Sequence, residues 1–154
     1  MKVLFICLGN ICRSPMAEGL FIHHLEKLNI RDQFEVDSCG TGGWHSGELA
    51  DERMRKTASK NGVELTHKAR QLNPQDITYY DFLLVMDHQN LKDVLLLHPE
   101  HSGKIKLITD LSSAKQGQII PDPYFGTEKD FQDVFELLNQ VTQEVAHHII
   151  QKHL

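Results

Sequence analysis

The segment Cys7-Leu8-Gly9-Asn10-Ile11-Cys12-Arg13-Ser14 sets a thiol, a guanidinium and a hydroxyl within eight residues. If it curls between a strand tip and a helix start, the backbone N–H groups of residues 8–14 point inward. With the positive end of the helix dipole they form an anion site. Gly9 permits backbone geometry that a Cβ would resist. Arg13 supplies a planar fork matching two oxygens of a phosphate. Cys7 falls at the bottom of the cradle, where the same dipoles stabilise a thiolate and activate the sulfur as a nucleophile. Ser14 donates to the sulfur and eases its departure later, while Asn10 pins the loop through its amide. A blander reading makes Cys7 a small buried hydrophobe and Arg13 a surface charge. It carries an internal cost, because a cation beside a helix N-terminus is unfavourable unless an anion is bound there.

Phosphoryl transfer to sulfur needs a group that protonates the departing oxygen and later deprotonates water, and one carboxyl group serves both steps. Asp122, in Pro121-Asp122-Pro123-Tyr124, is the candidate. Two prolines restrict its backbone. Taken alone, Asp-Pro is ordinary turn chemistry.

These residues need elements to position them. Lys2–Ile6 is an apolar run suited to a buried parallel strand. Ser14 as N-cap and Pro15 at the first helical position open a helix whose apolar stripe is Ala17, Leu20, Phe21, Leu25 and Leu28. Residues 34–38 alternate as a second strand, followed by a glycine-rich turn. A helix spans residues 51–61, stopped by Gly62. Residues 82–86 are the clearest buried strand, residues 91–97 a helix, and residues 104–108 a fourth strand. A long loop from Ser112 to Gly126 precedes a strong final helix with Phe131, Val134, Phe135, Leu138, Val141, Val145 and Ile149 on one stripe. Strands alternating with helices predict an α/β single domain over residues 1–154, flavodoxin-like, with a central four-stranded parallel sheet and helices on both faces. Ligands of such sheets sit beyond the carboxyl ends of the strands, where both the cysteine loop and the long loop fall.

Composition excludes several classes. Lys plus Arg total 16 and Asp plus Glu 21, so 16 − 21 leaves a net charge of −5. A mildly acidic chain is a poor candidate for a nucleic-acid binder, which needs a basic face, or for attraction to an anionic membrane. No apolar run reaches a membrane span, and Gly9, Asn10 and Arg13 interrupt the N-terminus before an export signal forms. Three cysteines, all within the first 39 residues, make no disulfide framework and suit a reducing cytoplasm. The ten histidines form no metal motif and read as surface residues, apart from His67. Gly40–His45 lacks the third glycine of a dinucleotide fingerprint, and no Gly-Lys-Ser/Thr nucleotide loop exists. Neither a metal nor another cofactor is required by thiolate chemistry.

Cys-Leu-Gly-Asn-Ile-Cys-Arg-Ser-Pro from Cys7, followed by Asp-Pro-Tyr from Asp122, resembles the low-molecular-weight protein tyrosine phosphatase family. The similarity extends through Asp37-Ser38, Trp44, Thr66–Gln71 and Met86-Asp87. The resemblance implies a nucleophile at Cys7, a phosphate-binding arginine at Arg13 and a general acid at Asp122. It implies loop support by Asn10, Ser14, Ser38 and His67, and aromatic pocket walls at Trp44 and Tyr124. The substrate would be a phosphotyrosine-containing protein and the product inorganic phosphate. Two positions depart from the family: Phe125 stands where a second tyrosine is frequent, and Cys39 where a small residue is usual. Ile11, where relatives resembling arginine phosphatases tend to carry threonine, favours the flat ring of phosphotyrosine.

Competing readings are an arsenate reductase or an arginine phosphatase on the same scaffold, and a non-catalytic phosphate-binding module. No cysteine follows Cys39, which counts against the reductase. The pairing of Cys7 with Asp122 counts against the binding module. Cys12 is either loop filler or a protective thiol that closes a disulfide with oxidised Cys7, and Cys39 is a rival partner.

Overall fold

Lys2–Cys7 (β1) is the centre of the sheet, and Val3 to Ile6 are fully buried. That explains an apolar run without alternation: both faces of β1 are covered. The computed structural model describes residues 1–154. Glu35–Gly40 (β2), Phe82–Val85 (β3) and Ile105–Leu107 (β4) complete a four-stranded sheet in the order β2-β1-β3-β4. Every strand pair is parallel. The chain passes from β1 to β2 on one side and then crosses to β3 on the other. The carboxyl end of β1 is therefore the switch point, and Cys7 is its last residue.

The helices are Arg13–Lys27 (α1), Glu52–Lys60 (α2), Pro74–Tyr79 (α3), His88–Leu97 (α4) and Glu128–His153 (α5). Alternation along β1 divides the core. Val3, Phe5 and Cys7 face Met16, Leu20 and Phe21 of α1 and Leu138 and Val141 of α5. Leu4 and Ile6 face Cys39, Leu83, Val85, Ile77 of α3 and Val94 of α4. Phe5 meets Phe21 edge to face at 5.4 Å between centroids, locking α1 over β1. A Phe5→Ala change in this packing would cost about 3–5 kcal/mol.

Several local expectations need correction. Ser14 is not the N-cap of α1. The helix starts at Arg13, the cap position is Cys12, and no side chain caps it. The Ser14 hydroxyl is drawn to Cys7 and Asn10 instead, which leaves the first backbone N–H groups free to face the loop. β2 runs two residues beyond Ser38 because Gly40 pairs with Cys7. Only glycine fits there, since a Cβ would lie 2.7 Å from the Leu8 carbonyl oxygen and 3.1 Å from the Asn10 nitrogen. β4 stops at Leu107, and Ile108 turns into a short 3₁₀ helix, Ile108–Leu111. α4 begins at His88, three residues earlier than its leucines suggest, because Asp87 and Asn90 form a reciprocal capping box. α3 escaped the sequence reading. Its six residues are too few for a hydrophobic period, and what marks it is the Asn73–Asp76 capping box with Pro74 in the first turn. The histidines are not all at the surface: His24 is buried and bonds the Asn139 carbonyl oxygen through Nε2 at 3.2 Å.

The long loop is irregular from Ser112 to Gly126 apart from turns. One backbone bond, Ile120 N–H to the Met86 carbonyl oxygen at 2.9 Å, returns it to the tip of β3. That bond brings Asp122, two residues on, over the end of β1.

Candidate active site

Cys7 is 3% exposed and its sulfur sits inside the loop, as the spacing predicts. Sγ lies 3.0 Å from Ser14 Oγ and accepts the Asn10 backbone N–H at 3.3 Å. Asn10 holds a left-handed backbone, φ 58°, which asparagine tolerates better than most residues. Its amide is fully used. Nδ2 donates to Ser14 Oγ at 2.7 Å and to Ser38 Oγ at 3.0 Å. Oδ1 accepts the Arg70 backbone N–H at 3.0 Å and faces His67 Nε2 at 2.9 Å. The Arg70 donor fixes Oδ1 as the acceptor, so His67 Nε2 carries a hydrogen. Across the ring, Nδ1 lies 3.2 Å from Asp37 and 3.3 Å from Glu18. With acceptors on both sides, the surroundings of His67 favour the imidazolium charge. Burial opposes that charge, but the Asp37 hydrogen bond and the Glu18 charge outweigh it and raise the His67 pKa. Burial pushes the Glu18 carboxyl up, while His67 and the Ser38 hydroxyl, which donates to it at 2.6 Å, pull it down. The carboxylate oxygens of Glu18 and Asp37 and the His67 ring nitrogen lie within 4.8 Å of one another, and the raised pKa of His67 sets a proton in competition with any cation for that nitrogen.

Arg13 is 3% exposed. Nη1 donates to Asp87 Oδ2 at 2.6 Å and to the Ile120 carbonyl oxygen at 3.0 Å. Nη2 looks across 3.7 Å to Asp122 Oδ2. Burial disfavours the guanidinium charge, and the charges of Cys7 and Asp87 more than compensate, leaving its pKa raised. Asp122 is 44% exposed, and its other oxygen accepts the Tyr124 N–H at 3.1 Å. The prolines and this turn aim the carboxyl at the cavity above Cys7.

That cavity is about 230 Å³, with Cys7 and Arg13 in its floor and Asp122, Trp44 and Tyr124 around it. The indole stacks over Gly42, where a Cβ would meet the ring at 2.0 Å. Trp44 is 71% and Phe125 97% exposed, so the mouth is an apolar rim facing solvent. Leu8, Gly9, Ile11 and Cys12 line the same cavity. Every residue singled out for chemistry therefore converges here, with Asn10, Ser14, Ser38 and His67 behind the loop.

The family pattern described as low molecular weight phosphotyrosine protein phosphatase matches residues 2–153. The chain belongs to that family. It is 39% identical over 145 residues to the low molecular weight phosphotyrosine protein phosphatase of Schizosaccharomyces pombe, covering 93% of each chain. It is 44% identical over 125 residues to low molecular weight phosphotyrosine protein phosphatase 1 of Drosophila melanogaster, covering 80% of each. Among solved structures, the protein tyrosine phosphatase of Entamoeba histolytica superposes with a TM-score of 0.94 at 32% identity, over 100% of this chain and 99% of that one. As a member of this family the chain is a phosphatase.

In this phosphatase, partners that the sequence reading left without a role stand out. Asp87 grips Arg13; its sequence signals were a carboxylate just after a buried strand and its place in the family resemblance, neither of which named a partner. Glu18 and Asp37 favour the charged form of His67. Arg70 clamps Asp76 with both Nη atoms at 2.9 and 3.0 Å and Asp37 through Nε at 3.0 Å, tying α3 and β2 to the loop. The three thiols divide between the two faces of the sheet. Cys7 and Cys12 pack on the α1–α5 face, and Cys39, in register with Ile6, packs on the other. Burial raises the pKa of both Cys12 and Cys39, with Asp51 adding to the rise at Cys12.

Proposed function

We propose that this phosphatase hydrolyses phosphotyrosine in protein substrates through a cysteinyl-phosphate intermediate, with the whole chain acting as one catalytic domain. One observation carries the reading: the Cys7 sulfur, the Arg13 guanidinium and the Asp122 carboxyl share one cavity. Cys7 attacks phosphorus in line. The Sγ–P bond forms as the P–O bond to the phenol breaks, and Asp122 delivers its proton to the departing oxygen. The amides of residues 8–14 and Arg13 hold the equatorial oxygens, and such preplaced donors contribute about 10²–10³ in rate each. Water then attacks phosphorus, Asp122 takes its proton, the S–P bond breaks and phosphate leaves. The Ser14 hydroxyl, 3.0 Å from Sγ, stabilises the thiolate each time it departs. Trp44 and Tyr124 flank the substrate ring, with Ile11 completing an apolar slot.

The three free thiols support a reducing cytoplasm as the working compartment. No helix is long and apolar enough to cross a membrane. Initial rates on matched phosphotyrosine, phosphoserine and phosphoarginine peptides, with Cys7→Ser as the blank, test the assignment. Turnover of phosphotyrosine alone is expected. Faster release from phosphoarginine would transfer the reading to the arginine phosphatases.

A further inference from the structure

A second cleft of about 340 Å³ opens between α2 and α5, lined by Arg53, Lys56, Lys60 and Lys129, with Glu128 the one acid on it. The chain as a whole carries a net charge of −5, so this concentration of cations runs against its composition. Residues 53, 56 and 60 share one face of α2 by helical spacing, where like charges repel and cost stability. Glu52, 4.0 Å from Lys56, and Asp133, 2.7 Å from Lys129, relieve part of that repulsion from outside the cleft. Lys60 forms no ion pair within 4.0 Å.

The cleft adjoins the catalytic cavity through one side chain. Asp51 holds Arg53 by Nε at 3.0 Å and Nη2 at 2.8 Å, and the backbone N–H of Asp51 bonds the Ile11 carbonyl oxygen of the loop at 2.8 Å. So fixed, the guanidinium carbon lies 4.5 Å from the Phe131 ring centre, on the cleft side, and 5.5 Å from that of Tyr124, on the cavity side. Tyr124, on the cavity, and Phe131, on the cleft, thus sit on either side of one guanidinium, and the cations lie next to the mouth that a phosphorylated side chain would enter. We propose that the cleft is a substrate-docking site that takes carboxylate side chains flanking the phosphotyrosine. The inference rests on the phosphotyrosine reading and adds a sequence preference to it. The cations raise the rate of productive encounter and hold an acidic flank in register, and both effects weaken with salt.

The test compares kcat/KM for phosphotyrosine peptides bearing a run of glutamates on the amino or the carboxyl side with their glutamine counterparts. The enzymes are the wild type and the triple variant Lys56→Gln/Lys60→Gln/Lys129→Gln, and p-nitrophenyl phosphate serves as a substrate too small to reach the cleft. At low salt the wild type should prefer a glutamate peptide about tenfold, and the variant should lose that preference with p-nitrophenyl phosphate turnover unchanged. Salt should erase the wild-type preference. A wild type indifferent to both glutamate peptides, or a preference that survives in the variant, overturns the docking site. Failure to hydrolyse any phosphotyrosine peptide while p-nitrophenyl phosphate is turned over would overturn the underlying reading instead.

Discussion

Arg13 Nη1 donates to Asp87 Oδ2 at 2.6 Å, joining the start of α1 to the cap of α4 across 74 residues of sequence. The same Nη1 takes the Ile120 carbonyl oxygen, so one guanidinium holds the loop that carries Asp122. The proposed roles of Arg13 in phosphate binding and of Asp122 in proton delivery thereby share one anchor. Replacing Asp87 by Asn keeps an acceptor for the α4 cap but removes the charge partner of a buried guanidinium. It should lower stability by about 2–4 kcal/mol and kcat/KM by about 10²-fold, read by urea unfolding and aryl phosphate hydrolysis. Unchanged kinetics would show that the pair only holds the fold.

Asp122→Asn should slow phenyl phosphate, whose leaving group needs a proton, by about 10²–10⁴-fold. p-Nitrophenyl phosphate, which departs readily as an anion, should slow far less. Equal slowing of the two contradicts a general acid.

Cys7→Ser should abolish turnover of aryl phosphates while inorganic phosphate still binds, because the amides and Arg13 remain. Calorimetric titration with phosphate measures this, and residual turnover above the uncatalysed rate contradicts the covalent route. Arg13→Lys should be nearly as damaging to catalysis, since a point charge does not replace the fork.

The raised pKa of His67 makes stability depend on pH with a definite sign. Its folded pKa is raised, so its contribution is complete below the unfolded value of about 6.5 and is lost as pH rises through the folded value. The stability gap between wild type and His67→Gln should therefore be widest near pH 6 and shrink near pH 9. A gap that widens with pH would mean that His67 is neutral in the folded protein.

Mild peroxide should convert Cys7 to a sulfenic acid, which the Cys12 thiol attacks with loss of water to give a Cys7–Cys12 disulfide, reversed by added thiol. Cys39 lies on the opposite face of the sheet and should stay reduced. Peptide mass spectrometry reads the linkage, and irreversible overoxidation of Cys7 with no disulfide would remove the protective role from Cys12.

What the sequence determined by itself was local. The apolar run of β1, the stripe of α5 and the Cys7–Ser14 loop between strand and helix are patterns within one or two elements, where side-chain period and turn chemistry act directly. Even there, competing partners deceived the reading: Ser14 had the residue type of a helix cap, but the sulfur and the Asn10 amide claimed its hydroxyl. The tertiary structure decided the long-range partners. His67 meets Asn10 across 57 residues and Arg13 meets Ile120 across 107. No spacing rule encodes such pairs, because they arise from strand order and from the side to which each crossover returns. It also decided that Cys39 turns away from Cys7. Alternation along a strand states which residues share a face, and only pairing in register with Ile6 states which face that is.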